Sequence, residues 1–167
     1  TVDFRNAYAE NGEADIQLRK AYNGDNWPTG GFEFKLTAGT NTADGEIDTP
    51  MPSDSTEGTK TVHATSVEAV DFGGIAYEKA GVYNYTVQEM RNGNAIPADG
   101  ETVNGITYDG RVYEIQVNVV ANDNGTKTVT LKKKLSTATE YSDVDGTTVT
   151  VDFRNAYAEN GEADIQL

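Results

Sequence analysis

The residues best suited to do chemistry in this chain are Lys20, Glu89 and Asn155, and strand parity is what singles them out. In an extended strand the side chains at i, i+2 and i+4 share a face. Ile16, Leu18 and Tyr22 define one apolar face, and Lys20 lies on it. Tyr83, Tyr85 and Val87 define a second, which carries Glu89. Val149, Val151, Phe153 and Tyr157 define a third, which carries Asn155. A lysine, an acid and a carboxamide thus point toward a core, where an uncompensated charge is costly. One resolution is bland: Lys20 and Glu89 snorkel from strand ends, or form an ordinary buried ion pair with Asn155 as a hydrogen-bonding neighbour. The other is reactive. Desolvation lowers a lysine pKa and raises that of a glutamate. The proton can then sit on Glu89, leaving a nucleophilic amine on Lys20. The protonated carboxyl is expected to donate to the Asn155 side-chain oxygen and polarise its carbon. Attack by the amine, with Glu89 relaying protons, would expel ammonia and leave a Lys–Asn isopeptide bond. That amide is neutral, so most of the cost of burying charge disappears.

Positioning these groups requires strands, and a period of two dominates the chain. Phe32, Phe34 and Leu36 alternate with Glu33, Lys35 and Thr37, and Tyr113, Ile115, Val117 and Val119 with Glu114, Gln116 and Asn118. The pattern predicts half-buried strands near Ala14–Tyr22, Gly31–Thr37, Thr61–Phe72, Gly81–Met90, Val112–Ala121, Thr126–Lys134 and Thr147–Tyr157. The pairs Asn23-Gly24, Asn92-Gly93, Asn104-Gly105 and Asn124-Gly125 are turn signals. No convincing helical period occurs, although Ser66–Val70 has room for one turn. Ala38–Lys60, rich in Thr, Gly, Asp and Pro, reads as a long surface loop or irregular arm. The fold class expected is all-β, a β-sandwich.

The segment TVDFRNAYAENGEADIQL runs from Thr1 to Leu18 and again, letter for letter, from Thr150 to Leu167. The spacing defines a repeat of 149 residues (150 − 1), as in a near-identical tandem array whose units contact their neighbours. Residues 1–12 are expected to close a preceding repeat and linker, 13–158 to form one sandwich, and 159–167 to start the next repeat. Asn6 then repeats Asn155 but belongs to the preceding unit. Only AENGE, Ala158–Glu162, joins successive sandwiches, so the units should sit end to end. The 27 acidic residues against 13 basic, a net charge of −14, argue against nucleic acid or an anionic membrane surface as partner. Cysteine is absent, so an extracellular chain must find stability without disulfides. No apolar run reaches membrane-spanning length, and membrane insertion by this segment is not expected.

The segments AGVYNYTVQE (Ala80–Glu89), GITYDGRVYEIQVNV (Gly105–Val119) and VDFRNAY (Val151–Tyr157) resemble the isopeptide-linkage domain of Gram-positive pilin backbones. Lys20–Gly24 followed by GGFEFKLTAG (Gly30–Gly39), and DFGGIAYEKAG (Asp71–Gly81), continue the resemblance from roughly Ala14 to Tyr157. It implies an immunoglobulin-like sandwich with adjacent first and last strands. It also implies an autocatalytic bond between Lys20 and Asn155, promoted by Glu89, in a pilus shaft or adhesin stalk on the cell wall. The separate linking-lysine motif and sorting signal of sortase-polymerised pilins are not found here. Near-identical repetition also suits an adhesin stalk better than a pilin subunit.

Other constellations are weaker. His63 is the only histidine and cysteine is absent, so a zinc site is not expected, nor is any other metal or cofactor. No nucleophile elbow, P-loop or dinucleotide fingerprint appears. Ser142–Gly146 (SDVDG) and Asn122–Gly125 (NDNG) lack full calcium-loop spacing and read as solvated turns. Trp27 beside Pro28 reads as packing at the sandwich end, and Lys132, Lys133 and Lys134 as edge protection. The reading is a secreted structural stalk repeat of a Gram-positive surface adhesin or pilus-like fibre, not a turnover enzyme. Its partners would be neighbouring repeats, and its distal host ligand is open. The alternative is a ligand-binding adhesin module for a host protein or glycan, using the Ala38–Lys60 loop or Trp27.

Overall fold

Alternating side chains along the strands divide the molecule into two sheets that face each other across a shared core. A computed structural model of the chain describes residues 11–45 and 47–158. Its strands are β1 (Gly12–Tyr22), β2 (Phe32–Asn41), β3 (Thr59–Ala64), β4 (Val70–Tyr77), β5 (Gly81–Arg91) and β6 (Asn94–Ala95). They continue with β7 (Glu101–Val103), β8 (Ile106–Tyr108), β9 (Val112–Ala121), β10 (Lys127–Leu135), β11 (Ser142–Val144) and β12 (Thr148–Tyr157). One sheet has the order β4-β1-β12-β8-β7. The other runs β11-β10-β9-β5-β2-β3, with β6 paired to β5. Ile16, Leu18, Val149, Val151 and Phe153 from the first sheet meet Phe34, Leu36, Tyr85, Val87, Ile115 and Val117 from the second, all buried. Each such side chain contributes on the order of 1.5–3 kcal/mol of burial energy. The architecture is the expected all-β sandwich.

The first and last strands lie side by side and run parallel, with Leu18 opposite Val151, Lys20 opposite Phe153 and Tyr22 opposite Asn155. The remaining pairs described are antiparallel. Asn92-Gly93 and Asn104-Gly105 close the β5–β6 and β7–β8 hairpins. Positive φ at both central residues (52° and 80°, 52° and 84°) is the type I′ geometry that Asn-Gly favours. Asn124-Gly125 turns β9 into β10 with only the glycine at positive φ. Asn23-Gly24 is not a hairpin turn; the chain there crosses from one sheet to the other.

Several expectations need correction. The single strand expected over Thr61–Phe72 is two, β3 in one sheet and β4 in the other. The break is an ordinary side-chain turn, in which Glu68 N–H donates to Ser66 Oγ at 3.2 Å, and no helical turn forms. A bulge then places two residues of β4, Phe72 and Gly73, against Ile16 alone, so the inward residues Phe72 and Ile75 lose strict alternation. The expected loop at Ala38–Lys60 is shorter, because β2 continues to Asn41 and β3 begins at Thr59. Tyr157 does not join the apolar face of its strand but is 40% exposed, since the sandwich has ended there. Lys132–Lys134 do not guard an edge, because β11, built from the SDVDG segment read as a turn, covers β10. Lys132 and Lys134 pair with Asp143 and Glu114, while Lys133 donates to the Thr150 carbonyl.

Candidate functional site

The parallel pairing of β1 and β12 puts Lys20 and Asn155 on one inward face, two positions apart in register. Glu89 faces them from β5, across the sandwich. The structure brings the three residues together, and all are buried: Lys20 is 0% exposed, Glu89 and Asn155 1%. Snorkelling is thereby excluded. Lys20 Nζ donates to Glu89 Oε1 at 3.0 Å, and Asn155 Nδ2 donates to Glu89 Oε2 at 2.7 Å. One carboxylate therefore bridges an amine and a carboxamide, one oxygen to each.

The surroundings are aromatic. Lys20 Nζ stands 4.9 Å from the ring centre of Phe32 and 5.3 Å from that of Phe34. Phe34 packs on Phe153 at 4.9 Å, and Tyr22, Trp27 and Tyr108 each meet Phe32 edge-on or nearly so, or meet each other through it. Trp27 lies 5.6 Å from Tyr22 and 5.4 Å from Phe32, so its ring is engaged in closing this end of the sandwich. The aromatic wall keeps water from the centre. Burial pushes the Lys20 ammonium down to about 8, outweighing the attraction of Glu89 and Asp109. Burial also pushes the Glu89 carboxyl up, against the opposing pull of Lys20 and the hydrogen bonds from Asn155 and Asp109. Both shifts favour moving the proton from the amine to the acid.

Sequence reasoning missed Asp109, which the structure places at the centre of the site. Its backbone N–H is shared between Asn155 Oδ1 at 3.0 Å and Glu89 Oε1 at 3.1 Å. Its side chain accepts from Arg111 N–H at 2.9 Å, an Asx turn, and from the Arg111 guanidinium, with Nη2 at 2.7 Å. It also accepts from Arg154 N–H at 2.8 Å. Burial pushes the Asp109 carboxyl up, but these donors together outweigh it and hold it below the usual carboxylate range. The signal available in the sequence was Asp109-Gly110-Arg111 just before a strand, a pattern that marks a turn without saying what the turn holds. The orientation of Asn155 also differs from the expectation. Its oxygen faces the Asp109 N–H, and it is the amide nitrogen that faces Glu89.

His63 is exposed on β3, and no group of three or more acidic or histidine side chains able to hold a metal stands among the described residues. No helix among them is long and apolar enough to cross a membrane.

Fold and site define a class: an all-β sandwich whose adjacent first and last strands present a buried lysine and asparagine to one glutamate. The model of the Spy0128-like isopeptide containing domain (FctA) matches residues 16–158. The chain belongs to this family, a pilin-type structural domain and not a family of turnover enzymes. Among solved structures it is similar to a major pilin protein of Streptococcus pyogenes, with 15% identity and a TM-score of 0.43 over 89% of this chain and 52% of the pilin. A second Streptococcus pyogenes major pilin gives 14% identity and 0.41, over 90% of this chain and 50% of the other. A pilus-presented adhesin, Cpa, gives 13% identity and 0.32, over 86% and 26%. The chain thus spans about half the length of the pilins it matches. No curated protein matches it.

Proposed function

We propose that this domain is a covalently locked, load-bearing stalk repeat of a Gram-positive surface fibre, and that the lock is an isopeptide bond between Lys20 and Asn155. The observation that carries the reading is the bridging carboxylate of Glu89 in a water-excluded site. Glu89 Oε1 takes a proton from Lys20 Nζ, and the neutral amine attacks Asn155 Cγ. The tetrahedral carbon then expels Nδ2, which takes a proton from Glu89 and leaves as ammonia, while the attacking nitrogen gives its second surplus proton back to Glu89. Glu89 has one oxygen at the nitrogen that must lose protons and the other at the nitrogen that must gain one. Each residue reacts once, so there is no turnover.

The strand order supports a mechanical role. Force entering at the start of β1 and leaving at the end of β12 would otherwise shear one parallel hydrogen-bond ladder. A bond from Lys20 to Asn155 lies near the far ends of both strands. Load would pass along β1, through the bond, and out two residues later at Tyr157, bypassing everything between. Closing that loop stabilises the fold by about 5 kcal/mol in the chain-entropy account, and raises the barrier to forced unfolding. The repeat arrangement, with a sandwich at 13–158, is part of this reading. Asn6 and the linker residues 159–162 lie outside the described residues.

Intact-mass measurement tests the proposal. The purified chain should weigh one ammonia less than its sequence, and Glu89→Ala should restore the full mass and lower the melting temperature. Peptide mapping should join Lys20 to Asn155 and leave Asn6 with a free carboxamide. A wild-type mass equal to the sequence mass would sink the bond, and a Lys20–Asn6 link would show the repeat boundary to be wrong.

A further inference from the structure

We propose that Asp109 is a positioning residue for the cross-linking step: its carboxylate clamps the loop so that its own backbone N–H stabilises the oxyanion formed at Asn155 Oδ1. The inference rests on the isopeptide reading above and adds a residue to it. When the Lys20 amine adds to Asn155 Cγ, the carbonyl electron pair moves onto Oδ1. The tetrahedral species holds negative charge there until the C–Nδ2 bond breaks and ammonia departs. Among the described residues, the one hydrogen-bond donor on Oδ1 is the Asp109 N–H, at 3.0 Å. In the resting site that N–H is shared with Glu89 Oε1 at 3.1 Å. Once Glu89 takes the lysine proton its oxygens become weaker acceptors, and the N–H is released toward Oδ1 as charge grows. An interaction that strengthens only along the reaction coordinate speeds the reaction.

A backbone N–H is effective only when its peptide is held, and the Asp109 side chain does the holding. It accepts from Arg111 N–H and the Arg111 guanidinium on one side. On the other it accepts from Arg154 N–H at 2.8 Å. Arg154 immediately precedes Asn155, so the clamp fastens the loop to β12 one residue from the reacting carboxamide. Gly110 completes the fit. A Cβ there would collide with the Pro97 carbonyl oxygen and stand 2.8 Å from that of Ala98, so only glycine lets the loop lie so close to the 97–100 turn.

The test follows ammonia loss by intact mass after cell-free synthesis, with timed aliquots quenched in acid. Four chains are compared: wild type, Asp109→Ala, Asp109→Asn, and a chain with the Tyr108–Asp109 amide replaced by an ester, which removes the N–H and leaves every side chain in place while weakening the Tyr108 carbonyl as an acceptor. Melting curves of the same changes in the Glu89→Ala chain, which forms no bond, separate lost folding from lost rate. The ester chain is expected to mature roughly 100- to 1000-fold more slowly, the range for removing one oxyanion donor. Asp109→Ala should slow at least tenfold. Asp109→Asn keeps an oxygen for Arg154 N–H and should fall between alanine and wild type. If the ester or alanine chain does not fold, Asp109→Asn decides: a slowed rate with an unchanged melt supports the proposal. Maturation of the variants at the wild-type rate would overturn it and leave the bond itself standing. A wild type that never loses ammonia would overturn the parent reading and this one together.

Discussion

Removing Asn155 should expose the titration of Lys20, which the proposed bond hides. In Asn155→Ala no cross-link can form, and Lys20 stays an amine beside Glu89. Its folded pKa is pushed from 10.5 down to about 8, chiefly by burial. Between those values the unfolded chain binds more protons than the folded one, so stability rises with pH through that window. The whole gap corresponds to about 3 kcal/mol at about 1.4 kcal/mol per pH unit, and about 2 kcal/mol of it develops between about pH 7 and 9.5. Glu89 works in the opposite sense at lower pH. Its raised folded pKa gives stability that is present in acid and lost as pH rises through that value. Buried Tyr77 and Tyr85, both pushed up by burial, resist ionising and cost stability near the top of the range. They are common to both chains and cancel in the difference from wild type. Urea unfolding at several pH values, run in parallel on the two chains, reads the effect. Asn155→Ala should gain about 2 kcal/mol relative to wild type, whose Lys20 would be a non-titrating amide. A flat difference with an unbonded wild-type mass would mean that Lys20 is free in both chains. A flat difference with a bonded wild type would mean that Lys20 is not desolvated, and the argument for a neutral nucleophile would fail.

Gly110→Ala should destabilise the Glu89→Ala chain by roughly 1–3 kcal/mol, the usual cost of overpacking, because the new methyl meets backbone and not a flexible side chain. In a chain that retains Glu89 it should also slow ammonia loss by moving the Asp109 loop, and an unchanged melt and rate would show that the loop has slack. Small-angle scattering of one-, two- and three-repeat proteins tests the array. A five-residue junction spans at most about 18 Å, so the maximum dimension should grow nearly in proportion to repeat number. Growth as the square root of that number would remove the mechanical basis of the stalk.

Parity made the Lys20, Glu89 and Asn155 faces legible because each lies on a long strand with unbroken alternation before it. Where alternation fails, so did the reading. The Phe72–Gly73 bulge hid β4, and the side-chain turn at Ser66 hid the crossing between sheets. Strands of two or three residues, such as β6, β8 and β11, are too short to show a period at all. Asp109 was hidden for a different reason. Its contribution to the site runs through a main-chain N–H, which every residue but proline possesses, so residue type gives no hint of it. What fixes that N–H in place is a carboxylate satisfied by Arg111, two positions along the loop, and by the backbone of Arg154, on a strand 45 positions away. Sequence patterns report side chains that repeat along one element. A buried polar centre assembled across two sheets also needs a group that ties those elements together. In this domain that tie lies beside the asparagine itself, where a loop and the last strand share one buried acid.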